Sequence, residues 1–289
     1  MTAIRFLGDV RNRLGESPLW DPARGWLWWV DGVAGRIAAA TPDGTLQRDW
    51  TFDEPIGSIA LGPDGTLVAA MANRFVALSD DGAPTALAVV TLADGLRFND
   101  GKADRNGRFL SGTIQRGAAT GGLWRIDRDA TATEIEDGLR IANAISFSPD
   151  GDTLYLADSL EGGIRRYAYD PATGAIGSRD WLIDPDTLGD PADGATVDRE
   201  GRLWVALVTA QAIACVSPDG RVLDRIATPI PYPSCPAFGG VDLTTLYVTT
   251  ISDSGHRLRT DHPDAGRILA IDGLGATGIA ERPWNHKRD

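Results

Sequence analysis

Cysteine is scarce in this chain of 289 residues, which contains only Cys215 and Cys235. Their spacing matches neither a zinc-finger pattern nor a Cys-x-x-Cys redox motif. A pair this isolated cannot provide the disulfide framework of a small secreted domain. We therefore expect both cysteines to be reduced, buried small residues.

Histidine is almost as rare, and the three that occur, His256, His262 and His286, all lie near the C-terminus. The chain has no Gly-x-Ser-x-Gly elbow, which argues against a Ser-His-Asp hydrolase built on an α/β sheet. It has no His-Glu-x-x-His zinc motif, and no glycine-rich loop opens a helix to bind a dinucleotide. We interpret His256 and His262 as exposed loop residues.

The sequence has neither an excess of positive charge nor a long apolar run. The formal net charge is −12, and no Lys/Arg-rich run offsets it. This charge argues against nucleic acid or an anionic membrane as a partner. No stretch reaches the ~20 apolar residues of a membrane-spanning helix, and residues 1–10 lack the pattern of a signal peptide. We expect a cytoplasmic protein, either monomer or dimer.

Short β-strand patterns separated by turn residues fill the sequence. Pro-Asp-Gly recurs four times, and proline followed by glycine favours the two corners of a tight turn. No segment carries an apolar period of 3.6 residues over helical length. The predicted strands, rich in β-branched and aromatic residues, include Trp26–Val30, Thr66–Ala70, Thr153–Ala157, Arg202–Ala206 and Thr245–Thr249.

One unit of a polar or small residue, a turn and a strand recurs six times, at a spacing of about 40 to 50 residues that is typical of propeller blades. The sequence therefore predicts an all-β fold, a six-bladed β-propeller of four-stranded antiparallel blades, as one domain over residues 1–289. The six units are Glu16–Gly25–Trp28, Ser58–Gly65–Val68, Asn99–Gly107–Phe109, Asn143–Gly151–Leu154, Asp193–Gly201–Leu203 and Ala237–Thr245–Tyr247.

Equivalent positions of all blades meet around the central channel of a propeller. Four of the six leading residues, Glu16, Asn99, Asn143 and Asp193, are carboxylates or amides. Two carboxylates without a counter-charge would repel each other, and a divalent cation removes that conflict. Oxygen donors suit a hard cation that can polarise a carbonyl and activate water. The alternative is that these side chains only cap strand ends.

Several local sequences resemble the senescence-marker-protein-30/gluconolactonase/luciferin-regenerating family, in order along nearly the whole chain. The segments that carry the resemblance are Gly15–Trp20, Arg97–Lys102, Gly107–Phe109, Gly112–Thr113, Ile141–Ala144, Ala157–Leu160, Ala192–Gly194 and Phe238–Gly240.

The resemblance implies a six-bladed propeller that hydrolyses a sugar lactone to the aldonic acid with one divalent cation. Glu16, Asn143 and Asp193 match the metal ligands of the family, and Asp193 also matches the proposed general base. Arg97 and Asn99 match positions that contact sugar hydroxyls. Oxygen ligands leave the ion open among calcium, zinc, manganese and iron.

One departure from the family concerns the substrate. Some members carry a glutamate in the loop that here reads Arg116 to Gly122 and contains no acid. Arg116, Arg257 and Arg259 fall in predicted lid segments, where they would favour an acidic or sulfonated sugar or simply face solvent.

Two other functional hypotheses stay open. The first is a non-catalytic, calcium-binding regulatory protein that uses the same oxygens. The second is a WD40-like interaction scaffold, against which stand the polar residues concentrated at one register and the lack of a recurring Trp-Asp signature.

Overall fold

The structure is a computed structural model that describes residues 2–115 and 120–284. These residues form 24 strands in six four-stranded antiparallel sheets, so the prediction of a six-bladed β-propeller is confirmed. Two short helices accompany them, a 3₁₀-helix at Pro63–Gly65 and α1 at Pro185–Leu188. Neither they nor any other helix of the described ranges could span a membrane.

Each blade runs from an inner strand at the channel to an outer strand at the rim. Blade 1 consists of β2 Gly15–Asp21, β3 Trp26–Asp31, β4 Arg36–Ala40 and β5 Leu46–Thr51. Blade 2 consists of β6 Ile56–Leu61, β7 Leu67–Met71, β8 Arg74–Leu78 and β9 Pro84–Val89. Blade 3 consists of β10 Leu96–Ala103, β11 Phe109–Gln115, β12 Gly121–Ile126 and β13 Ala132–Leu139. Blade 4 consists of β14 Ala142–Phe147, β15 Thr153–Asp158, β16 Ile164–Tyr169 and β17 Ile176–Ile183. Blade 5 is β18 Ala192–Val197, β19 Leu203–Leu207, β20 Ala212–Val216, β21 Val222–Ala227, and blade 6 is β22 Pro233–Gly239, β23 Thr245–Thr250, β24 Ile268–Asp272 with β1 Ala3–Leu7.

The ring closes through the N-terminal strand. β1 pairs with β24 in the register Ala3 with Asp272 to Leu7 with Ile268, and so supplies the outer strand of blade 6. A ring whose last blade is built from both ends of the chain cannot open without breaking that sheet. The sequence repeat did not reveal this closure, because β1 lies outside the six repeated units.

The hydrophobic core lies between blades rather than within them. Six apolar clusters fill the six gaps between neighbouring sheets. In the gap between blades 2 and 3, for example, Phe75 packs against Phe98 with ring centroids 4.7 Å apart. The rim strands β5, β9 and β21 are half-buried to exposed, whereas the inner strands β6 and β18 are buried along their whole length. Burial therefore decreases outward along these blades.

The predicted turns form as their residues indicate. The glycines of all four Pro-Asp-Gly turns adopt positive φ, from 80° to 88°. In the turns at Asp43, Asp150 and Asp219, a hydroxyl two residues earlier donates to the aspartate at 2.5 to 2.6 Å. The same bond joins Ser79 to Asp81.

Inner strands bend near one end of the channel, where each carries an extra residue opposite its neighbour. The pairing shifts after Glu16 in β2, after Asn143 in β14 and after Ala192 in β18. In blade 6 the shift follows Pro233, so Ser234 is the equivalent of Asp193. The sequence placed Ala237 in that register, which is wrong, because the turn is made by Gly240 and Leu243 rather than at Thr245.

Residues 273–284 cross the other end of the channel, and we call this segment the C-terminal strap. Its backbone bonds to Arg199 of blade 5, to Leu243 of blade 6 and to Leu61 of blade 2. Glu281 forms an ion pair with Lys102 of blade 3 at 3.3 Å, and the buried Trp284 packs in the cluster between blades 2 and 3. The strap therefore ties four of the six blades together across the channel.

Candidate functional site

The predicted site residues converge at the channel end opposite the strap. Glu16, Asn143 and Asp193 all lie at the strand bulges described above, and Asn99 lies in the corresponding bulge of β10, between Phe98 and Gly101. Asn143 and Asp193 are buried, with 5% and 8% of their surface exposed, whereas Glu16 and Asn99 are half-buried. Bulges turn side chains out of the regular alternation, and here they direct them to the axis.

A chain of hydrogen bonds connects blades 3, 4 and 5 through these residues. The Nδ2 of Asn99 donates to Asn143 Oδ1 at 2.9 Å and to Ala142 O at 3.1 Å. The Nδ2 of Asn143 donates to Ser159 Oγ at 2.8 Å. Ser159 in turn donates to Ala192 O, next to Asp193, at 2.6 Å.

Negative charge accumulates where these strands meet. Burial, and then repulsion by Asp193 and Asp100, raise the pKa of Glu16 well above its usual value. Burial and Asp100 do the same to the pKa of Asp193. Burial also raises the pKa of Asp100 to about 6, although its carboxylate accepts the backbone N–H groups of Ile145 and Gly101 at 2.9 and 2.8 Å.

Two cations partly offset this charge. Arg97 lies close enough to Glu16 to lower the pKa of that carboxyl, and its guanidinium donates to Phe98 O at 2.8 Å. Lys102 lies two residues beyond Asp100 on β10 and lowers the pKa of Asp100. Burial alone would lower the pKa of Lys102, but its acidic neighbours, Glu281 first, outweigh burial and raise it.

The donor set fits a hard divalent cation. Glu16 and Asp193 offer carboxylate oxygens, and Asn143 offers an amide oxygen whose orientation is fixed by Asn99 and Ser159. Burial first, and repulsion second, raise the pKa values of the two carboxyls, and a bound cation would offset both effects. Within residues 2–115 and 120–284, no three His, Cys, Asp or Glu side chains come together in a geometry that could hold a metal ion. A cation held by Glu16 and Asp193 would therefore need a further donor of another kind, which the amide of Asn143 can supply.

The predicted lid segment that carries Arg257 and Arg259 follows β23 and begins at the same end of the channel. Ile251 pairs with Leu14, two residues before Glu16, and the chain beyond it is held by the ion pair between Arg13 and Asp253 at 3.0 Å. Arg257 and Arg259 are exposed on this segment. Arg116, the third predicted lid arginine, lies outside the described residues.

Residues 14–252 match the family described as "SMP-30/Gluconolactonase/LRE-like region", which is most of the chain. The chain belongs to this family. The family resemblance stated from the sequence motifs is therefore confirmed.

Relatives cover the chain almost from end to end. The chain is 36% identical to "Pentonolactonase XacC" of Haloferax volcanii, covering 97% of each protein, and 35% identical to "L-arabinolactonase" of Azospirillum brasilense, covering 91% of this chain and 90% of the relative. Among solved structures, a "calcium-binding protein, regucalcin" from Agrobacterium tumefaciens superposes with a TM-score of 0.91 at 26% identity, covering 98% and 97% of the two chains.

Sequence reasoning missed two residues that the structure places beside the predicted ligands. Asp100 and Ser159 lie within the quoted motifs, but no role was assigned to either. The signal for Asp100 was its place next to Asn99 in the Asn-Asp-Gly motif. Asp100 is a second polar residue in the same bulge, and its carboxylate reaches Ile145 of the neighbouring blade. Ser159 gave no comparable signal, because its partners Asn143 and Ala192 are 16 and 33 residues away.

Proposed function

We propose that the protein hydrolyses a sugar lactone to its aldonic acid, with Glu16, Asn143 and Asp193 holding one divalent cation. The observation that supports this most is found at the open end of the channel. The carboxylates of half-buried Glu16 and buried Asp193, which repel each other, converge there with one oriented amide oxygen. The names of the relatives, a pentonolactonase and an arabinolactonase, make the lactones of pentonic acids the first substrates to test.

Asp193 is the proposed general base. A cation bound there would supply Lewis-acid polarisation of the lactone carbonyl. Asp193 accepts a proton from water as the water oxygen attacks the carbonyl carbon. The bond between the carbonyl carbon and the ring oxygen then breaks, and the departing oxygen takes up the proton held by Asp193 to give the hydroxy acid.

Arg97 and Asn99 orient the sugar in this proposal. The Arg97 guanidinium lies beside Glu16 and can donate to a substrate hydroxyl. Both Nδ2 hydrogens of Asn99 are directed at Ala142 O and Asn143 Oδ1, which leaves its Oδ1 to accept from a hydroxyl. Fixing the sugar in this way places the carbonyl where water can reach it.

The experiment is a pH-indicator assay of acid release on a panel of aldono-1,4- and 1,5-lactones. The enzyme is treated with EDTA, and calcium, zinc, manganese and iron(II) are then restored one at a time. We expect EDTA to abolish acid release and one or more ions to restore it, most strongly on pentonic acid lactones. Full activity in EDTA would contradict the metal-dependent mechanism.

A calcium-binding protein without catalysis is the second candidate, favoured by the likeness to the regucalcin from Agrobacterium tumefaciens, which is named as a calcium-binding protein. It predicts one bound cation per chain and no acid release on any lactone of the panel. The two candidates therefore differ in the assay although they share the same ligands.

A further inference from the structure

The half-buried Ser159 contacts two blades at once, although it belongs to neither the predicted ligands nor the predicted substrate contacts. It follows the last residue of β15, and its hydroxyl bridges Asn143 in β14 and Ala192 in β18. Among the described hydrogen bonds of Asn99, Asn143 and Ser159, only those of Ser159 join the amide of Asn143 to β18, the strand that carries Asp193.

The direction of each bond in this bridge is determined by chemistry. A backbone carbonyl can only accept, so the single hydroxyl proton of Ser159 is committed to Ala192 O. The hydroxyl then faces Asn143 as an acceptor, which requires the NH₂ group of that amide on its side. The amide oxygen of Asn143 must consequently point the other way.

Asn99 imposes the same orientation from the opposite side. Its NH₂ group faces Ala142 O, another group that can only accept, and therefore also presents a hydrogen to Asn143. The oxygen of Asn143 is the atom that meets it. Two carbonyls, Ala142 O and Ala192 O, thus anchor the two ends of one chain of bonds that leaves a single orientation for the amide between them.

From this geometry we infer that Ser159 is a positioning residue that presents the oxygen, rather than the NH₂ group, of Asn143 to a divalent cation. This inference rests on the proposed cation site and deepens it. An amide turned by 180° about its terminal bond would direct two N–H donors at the ion and could not bind it. Groups that orient metal ligands through a second hydrogen bond typically change metal affinity about 10–100-fold when removed.

The test combines Ser159→Ala with the replacement Asn143→Asp. A carboxylate has an oxygen on each side, so its binding to a cation does not depend on orientation. We expect Ser159→Ala to weaken manganese or calcium binding about 10–100-fold in the wild-type background. In the Asn143→Asp background we expect no loss, or a gain, because the serine oxygen no longer faces a carboxylate oxygen.

Ser146→Ala is the matched control. Ser146 lies on β14, the strand that carries Asn143, and is buried. Its hydroxyl also donates to a backbone carbonyl, Ala144 O at 3.1 Å, without contacting the Asn143 amide. Ser159→Thr keeps the hydroxyl and should retain most of the affinity. Equal losses for Ser159→Ala in both backgrounds would overturn the inference, as would an equal loss in Ser146→Ala.

A second readout needs no cation. In the metal-free protein with ¹⁵N-labelled asparagine, Ser159→Ala should shift the side-chain NH₂ resonances of Asn143, and Ser146→Ala should not. Unchanged Asn143 resonances in Ser159→Ala would refute the positioning role. If these resonances shift but the wild type binds no divalent cation, the proposed function and the inferred role toward a cation both fail, and only the bond itself remains.

Discussion

The side-chain nitrogen of Asn99 donates to the Oδ1 of Asn143 at 2.9 Å, which joins blade 3 to blade 4 at the open end of the channel. The family resemblance implies that Asn99 contacts the sugar. The structure adds that Asn99 also holds a predicted cation ligand. One residue is thus placed to influence both substrate and ion.

Asn99→Ala should therefore weaken both cation binding and catalysis. Without its NH₂ group, Asn143 Oδ1 loses its partner and the amide is held from the Ser159 side alone. We expect cation affinity to fall about tenfold together with kcat. Calorimetric cation titration beside lactone kinetics measures this. A rise in KM with unchanged cation affinity would mean that Asn99 contacts substrate only.

The Lys102–Glu281 pair should contribute to stability as a unit. Both side chains are largely buried, and Glu281 Oε2 has no hydrogen-bond partner among the described residues. Lys102→Met alone leaves Glu281 without its ion-pair partner, which typically costs about 3–5 kcal/mol for a buried pair. Glu281→Gln alone should cost less, because Asp100 still lies beside Lys102. We expect the double variant to recover part of this loss in urea unfolding. A double variant that loses the sum of both single effects would show that the two residues act independently.

Acid should destabilise the protein through its turn aspartates. A hydrogen bond from a neighbouring hydroxyl lowers the pKa of Asp43, Asp81, Asp150 and Asp219 below the ordinary value. A carboxyl with a lowered folded-state pKa contributes stability above its unfolded pKa, and that contribution is lost as pH falls through the folded value. Unfolding free energy should therefore decline as the pH drops below about 4.

Removing the hydroxyl partners tests this assignment. The double variant Thr41→Ala with Ser217→Ala keeps both carboxyls but loses the bonds to Asp43 and Asp219. It should be less stable at neutral pH and show a shallower loss of stability in acid. A decline as steep as that of the wild type would place the acid sensitivity elsewhere.

The sequence predicts the propeller well because its signals are local. Short strands recur in every blade and turn glycines with positive φ recur in blades 1 to 5, and the structure confirms both. The family is confirmed as well. The roles of Glu16, Asn143 and Asp193 as metal ligands stay predictions, although the structure brings these residues to the same end of the channel.

Local sequence patterns could not predict the contacts that join segments far apart in the chain. β1 completes blade 6 through pairs such as Ala3 with Asp272, and nothing near Ala3 indicates that partner. The strap places Glu281 against Lys102 across the channel, also without a local signal. The misplaced register at Ala237 has a local cause, because the turn in blade 6 uses Leu243 at positive φ instead of the usual glycine pattern.

The central claim is that Glu16, Asn143 and Asp193 form one cation site that supports lactone hydrolysis. The most direct measurement is calorimetric titration of manganese or calcium into the EDTA-treated protein and into Glu16→Gln, Asn143→Ala and Asp193→Asn. We predict one cation per chain in the wild type and at least about a hundredfold loss of affinity in each variant, in parallel with lost acid release. Wild-type affinity in all three variants would contradict the account.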